Sequence, residues 1–115
     1  MIKLTKEDIV SNEIIEWYDG PLGYDGPLEG ILKLVNKDNI FWTCEDIDQF
    51  TYVGYKISDI QKDNLDNVLL NHETTAWGTD GGKAYDQVVD QIMSSSEPQY
   101  EFDLDICLSV SSIET

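Results

Sequence analysis

Trp17 to Gly30 reads WYDGPLGYDGPLEG and holds one pentapeptide twice, Tyr18-Asp19-Gly20-Pro21-Leu22 and Tyr24-Asp25-Gly26-Pro27-Leu28. A tandem copy this short is no solenoid, because repeat architectures need about 20 residues or more per unit. Each copy carries a Gly-Pro breaker: proline fixes φ and removes a backbone donor, while glycine tolerates φ > 0. Two breakers in one span predict a doubled turn between apolar segments, a hairpin connection running from Tyr18 to Glu29. That is long against the usual two to five residues. On this reading one copy closes the turn and the second only lengthens it, so deleting Tyr24–Glu29 is expected to leave a folded domain.

The flanking segments have strand character. Ile14-Ile15-Glu16-Trp17-Tyr18 enters the turn and Ile31-Leu32-Lys33-Leu34-Val35 leaves it. The cluster Asn36-Lys37-Asp38-Asn39 then predicts a second hairpin, into Ile40-Phe41-Trp42-Thr43-Cys44. Glu45-Asp46-Ile47-Asp48 reads as an acidic connection. Phe50 to Ile57 is rich in aromatic and β-branched residues that suit a pleated surface. Upstream, Thr5 precedes Lys6-Glu7-Asp8 as an N-cap precedes a short helix, which Ser11-Asn12 interrupts.

Downstream the period changes. Ser58-Asp59-Ile60-Gln61 has the spacing of a capping box. It opens a helix with Ile60, Leu65, Val68 and Leu69 on the inner face, ending near Asn71. After a polar loop from His72 to Gly82, a second helix begins near Lys83. Its residues Ala84, Tyr85, Val88, Val89, Ile92 and Met93 recur at helical spacing, and Ser94-Ser95-Ser96-Glu97-Pro98 ends it. In the last segment Phe102, Leu104, Ile106, Leu108 and Val110 alternate with Glu101, Asp103, Asp105, Cys107 and Ser109, a strand with one buried face. The expected fold is α+β: one domain over 1–115, with a mostly antiparallel sheet of about five strands and two helices on one face.

Charge is the most unusual property of this 115-residue chain. Its seven basic residues, all Lys, face 23 Asp and Glu, for a net charge of −16. A hydrophobic content of 41% and three Trp still argue for a packed core. Such an excess disfavours direct nucleic-acid binding, which depends on neutralising phosphates, and equally an anionic membrane surface. It favours a basic partner, the competing reading being solubility alone. The N-terminal residues lack an apolar secretory core, and no apolar run reaches the length of a membrane span. A cytoplasmic location is expected, with Cys44 and Cys107 as reduced, half-buried strand thiols.

The acids fall in rows. Asp59, Asp63 and Asp66 share one helix face, and Asp86 and Asp90 share another. Glu101, Asp103 and Asp105 project alike along a strand at roughly 6.6 Å, twice the rise per residue. That interval is of the order of the phosphate spacing along a nucleic-acid strand. Such rows, joined by Glu45, Asp46 and Asp48, form a candidate partner-binding surface that stands in for a phosphate backbone. Solvation of each face is the plainer reading of any single row.

Other chemistry has less support. Asp46-x-Asp48 and Asp103-x-Asp105 lack the remaining ligands of a calcium loop. His72 is the only histidine and has no second His for a zinc motif, and GTDGGK is too short for a P-loop. Neither cofactor nor metal is expected, and a small enzyme built on paired carboxylates is a remote alternative. The aromatics Trp17, Trp42, Tyr52 and Tyr55 read as core. In the turn, Tyr18, Tyr24, Asp25 and Leu28 form a second candidate surface, since binding residues concentrate on loops. In size, charge and expected location the chain resembles the small acidic inhibitors that phages and bacteria direct at nucleases and other DNA-handling proteins. That class spans nucleic-acid mimics, anti-CRISPR-type proteins and toxin immunity proteins. The resemblance includes no signature residue and carries over no site. It implies a non-catalytic inhibitor of a basic nucleic-acid-handling protein. The alternative is an immunity or adaptor protein gripping its partner by shape through the loop.

Overall fold

A six-stranded sheet, ordered β1-β6-β5-β4-β3-β2, and two helices make up the α+β fold of the chain in a computed structural model. The structure describes residues 1–18, 26–46, 49, 51–71 and 80–103. The strands are β1 (Ile2–Lys3), β2 (Ile9–Tyr18), β3 (Gly26–Leu34), β4 (Asn39–Asp46), β5 (Thr51–Ile57) and β6 (Tyr100–Asp103). The helices α1 (Asp59–Asn71) and α2 (Asp80–Ser95) lie between β5 and β6 in sequence. Contacts divide the chain into a sheet unit, Met1–Lys56 with Pro98–Thr115, and a helical unit, Ile57–Glu97.

β2, β3 and β4 pair antiparallel in succession, as the two expected hairpins require, and β5 pairs antiparallel with β6. The sixth strand is β1, which pairs parallel with β6 through Ile2↔Tyr100 and Lys3↔Glu101. This topology dictates the shape of the sheet. β1 and β2 are its two edges, and a flat sheet would hold them five strand spacings apart, about 24 Å. The chain joins Lys3 to Ile9 through a 3₁₀ turn at Lys6–Asp8, a path of only about 16 Å. The sheet must therefore curl until its edges approach each other. Leu4, next to β1, accordingly packs in one core cluster with Ile9 of β2 and Leu34 of β3.

The concave face holds the core: Leu4, Ile9, Leu32, Leu34, Ile40, Trp42, Tyr52, Tyr100 and Phe102. Tyr52 and Phe102 are cross-strand partners whose rings stack at 5.3 Å, and Trp42 meets both edge-on, at 5.2 and 5.9 Å. Two glycines make room for this packing. Gly30 lies opposite Trp42 in the β3–β4 register. A β-carbon on Gly30 would overlap the Glu13 carbonyl oxygen and the benzenoid edge of the Trp42 indole. The indole thus crosses over β3 to β2, where its Nε1–H donates to Oδ1 of fully buried Asn12 (2.9 Å). A β-carbon on Gly54 would press on the Ile40 Cγ2 methyl.

Asn12 corrects the expectation that Ser11-Asn12 interrupts a helix. A bulge between Ile9 and Ser11 turns both Ile9 and Asn12 inward, and β2 runs unbroken from Ile9. The Thr5 cap is as expected, on a single 3₁₀ turn. Asp8 Oδ2 accepts from the Thr5 N–H (2.9 Å) and hydroxyl (3.1 Å). At the β3–β4 turn Lys37 adopts φ 75°, while Asn36 Oδ1 accepts from the Asp38 N–H (3.0 Å).

The doubled turn also needs correcting. Gly26, Pro27, Leu28 and Glu29 belong to β3, paired with Tyr18, Trp17 and Glu16. Gly26 and Pro27 are buried, and the Pro27 carbonyl accepts a hydrogen bond from Tyr52 Oη (2.9 Å). The second pentapeptide is therefore half strand. Its first residues, Tyr24 and Asp25, lie outside the described residues.

In the helical unit the capping box is reciprocal. The Ser58 N–H donates to Gln61 Oε1 (2.8 Å) and the Gln61 N–H donates to Ser58 Oγ (3.2 Å). On α1, Leu65 is fully buried but Ile60 is 73% exposed. Five residues separate them, about 140° around a helix, so Ile60 cannot share the Leu65 face. On α2, Tyr85, Val89 and Ile92 are buried, and Met93 is exposed. The Ser94, Ser95 and Ser96 hydroxyls donate to last-turn carbonyls.

Two results are expected in urea denaturation and thermal melts. Gly30→Ala should cost about 3 kcal/mol or more by overpacking, and more than Gly54→Ala, because backbone cannot yield as a methyl can. Equal costs would remove the indole crossing as the constraint. Deleting Tyr24–Glu29 should lower the melting temperature and broaden the transition, since it removes four β3 residues and the Tyr52 acceptor. An unchanged melt would return the second copy to the loop.

Candidate functional site

On the convex face of the sheet, acids from separate strands come together. In β6, Tyr100 and Phe102 point to the core, so Glu101 and Asp103 point outward and are exposed. Asp103 lies beside Thr51 of β5, and Glu101 between Val53 of β5 and Lys3 of β1. Alternation along β4 turns Trp42 inward and Glu45 outward. Lys3, Glu45, Thr51, Glu101 and Asp103 consequently line one shallow pocket of ≈ 140 Å³, with Tyr52 and Phe102 beneath. Lys3 Nζ stands 3.7 Å from Asp103 Oδ2, with both side chains more than half exposed. A pair so solvated contributes little stability. Glu45 and Glu101 have no ion pair among the described residues, so the patch stays acidic.

Glu45 and Asp46 correct the expectation of an acidic connection, since both belong to β4. Asp46 is half-buried, and its Oδ1 accepts from the Gln49 N–H (3.4 Å). Asp48 and Asp105 lie outside the described residues. Thr51, in a strand the sequence does signal, and Lys3 complete the patch; Lys3 escapes sequence reading because a two-residue strand leaves no periodic signal.

The helical unit carries its own acids. Asp59, Asp63 and Asp66 are all exposed on α1, but their row is thinner than its sequence suggests. Lys62 Nζ holds both Asp66 oxygens, at 2.6 and 2.7 Å. Asp59 sits in the first turn, where the helix dipole stabilises a carboxylate. On α2, Asp86 and Asp90 are exposed one turn apart, without an ion pair among the described residues.

The second candidate surface is largely absent from the described side chains. Leu28 is half-buried in β3 and Tyr18 ends β2, while Tyr24 and Asp25 lie outside the described residues, as does His72. Trp42, Tyr52 and Tyr55 are buried, as core residues should be. Cys44 is a free, half-buried strand thiol. Burial pushes its pKa up, which keeps it protonated and unreactive at neutral pH. Cys107 lies outside the described residues. Among the described residues no three His, Cys, Asp or Glu side chains are grouped to hold a metal ion, and no helix is long and apolar enough to cross a membrane.

The α2 pair should be measurable as stored repulsion. Asp86→Asn with Asp90→Asn is expected to stabilise the fold by a few tenths of a kcal/mol in low salt, the gain fading in molar salt as screening sets in. A loss of stability in low salt would mean that these carboxylates have a structural partner. No protein-family model matches the chain, and comparison with curated proteins and with solved structures finds no match.

Proposed function

We propose that the protein is a non-catalytic acidic binder that engages a basic, nucleic-acid-handling protein and blocks the surface on which nucleic acid would lie. One observation carries this reading. Exposed carboxylates are ordered on regular elements, at Glu101 and Asp103 on β6, Glu45 on β4 and Asp86 and Asp90 on α2, with few lysines to neutralise them. A charge excess meant only for solubility needs no such order. Along β6 the carboxylates repeat at roughly 6.6 Å, and the stiff strand supplies the spacing that a flexible acidic tail cannot. Binding through these carboxylates is the activity proposed, and it requires no acid–base pair or metal. A cytoplasmic location, where nucleases and DNA-handling enzymes meet their substrates, belongs to the same proposal.

The test is competition. The immobilised protein is incubated with host lysate in low salt, and retained proteins are eluted with duplex DNA or with salt. The expected result is a retained nucleic-acid-binding protein that DNA displaces and whose retention falls steeply with ionic strength. Glu101→Gln with Asp103→Asn should weaken that retention at least as much as any α1 substitution. A retained protein indifferent to DNA and to salt would overturn the proposal.

A further inference from the structure

The curled sheet leaves one apolar opening, at the seam where its edges meet. Buried Leu4, Leu34 and Tyr100 form the floor of a cleft of ≈ 230 Å³, and Ile2 and Val35 form its walls. Asp8 and Asn36 complete the lining. Ile2 is 59% and Val35 61% exposed, although Ile2 stands in β1 and Val35, the first residue after β3, is held by its N–H bond to the Asp8 carbonyl. Among the described residues, the exposed large hydrophobics of the sheet unit are Met1, Ile2, Val10 and Val35. Two of the four, Ile2 and Val35, line this cleft, and Met1 adjoins Ile2 in sequence. Single exposed apolar residues are ordinary, but a set of them around a concavity is characteristic of an interface.

We infer that the seam cleft is the anchor point of the protein's interface, and that it takes one leucine- or phenylalanine-sized side chain from the basic partner. This rests on the proposed function, which supplies the basic partner, and it adds where that partner is held. The cleft is smaller than the 300–1,000 Å³ typical of small-molecule sites, and so suits a single side chain. Charge complementarity fixes the rest of the occupant. The net charge of −16 draws in a cationic surface. At the cleft, Asp8 uses Oδ2 for Thr5 and leaves Oδ1 without a partner among the described residues. Asn36 likewise presents an amide oxygen engaged by only one donor, the Asp38 N–H. Asn36 Nδ2 is also a donor, to Asp38 Oδ2 (3.1 Å), so the acceptor that favours a side chain flanked by donors or cations is the Asp8 carboxylate. Lys6 and Lys37 neighbour the lining residues in sequence, so apolar contact rather than local charge sets the position. The division is a familiar one: distributed charge governs encounter, and a buried apolar anchor governs residence.

Two capped heptapeptides of equal charge, KLKFKLK and KSKSKSK, test the inference by titration calorimetry and amide chemical shifts. The expected result is about tenfold tighter binding of KLKFKLK, with shifts concentrated at Ile2, Leu4, Leu34, Val35 and Tyr100. Ile2→Ser and Val35→Ser alter exposed positions and should fold normally. Each should erase the advantage of KLKFKLK while leaving KSKSKSK binding unchanged. Asp86→Asn with Asp90→Asn should weaken both peptides alike. Equal affinity of the two peptides, or an advantage that survives both serine substitutions, would overturn the anchor and spare the electrostatic reading. Failure of both peptides to bind in low salt would overturn both.

Discussion

The hydrogen bond from the Trp42 indole to Asn12 spans three strands, and much of the sheet unit is arranged to allow it. The donor is on β4 and the acceptor on β2, so the indole must lie across β3. Only glycine leaves room there, and Gly30 sits opposite Trp42 in register. An indole N–H buried without an acceptor would cost about 1–3 kcal/mol, and Asn12 Oδ1 would lose the donor it accepts from. Each therefore enforces the other. The inward turn of Asn12 depends in turn on the β2 bulge after Ile9, which also starts the short route back to β1. One tryptophan thus ties together a bulge, a glycine and the curl.

The same geometry separates two kinds of surface. Inward positions are taken up by rings and aliphatics that interlock; on the other face Ile31, Phe41, Val53 and Tyr55 are buried too, and the acids of β4 and β6 fall beside them. A sheet alternates its side chains strictly, and an acid row on β6 is the complement of the Tyr100–Phe102 core row. The carboxylate spacing proposed as a recognition feature is therefore held by the core. Burial fixes the register of β6, and the register fixes the acids. Mutations that loosen the core would blur the charge pattern before they changed the net charge.

Much of this was legible in the sequence where one local rule acted alone. The Ser58–Gln61 capping box formed with both bonds, the α2 periodicity marked Tyr85, Val89 and Ile92, and the Glu101/Asp103 alternation held as far as β6 is described. Errors arose where rules competed. The bulge at Val10 breaks the period of two, so the first half of β2 resembled a failed helix. β1 is too short to carry a period and exists only because β6 arrives from the other end of the chain to pair with it. Gly-Pro in the second pentapeptide signalled a turn, but pairing with β2 and the Tyr52 bond to Pro27 kept it in a strand. At the candidate site the acids themselves were legible, whereas Lys3 beside Asp103 and Lys62 on Asp66 emerge only from register and rotamer.

The placement of β6 has a consequence for how the chain folds. β2, β3 and β4 can assemble from near-neighbour hairpins, which form quickly. β6 follows both helices in sequence, yet it sits inside the sheet between β5 and β1. Until residues 100–103 dock, β1 has no strand to pair with, and Leu4 has lost one wall of its pocket. As a ribosome releases the chain, β1 must wait for Tyr100 and Glu101 to appear. Among the described residues the parallel β1–β6 pairing is the most non-local strand pairing, so closure of the seam belongs late in folding. The curled sheet is completed by joining the two most distant of its described parts.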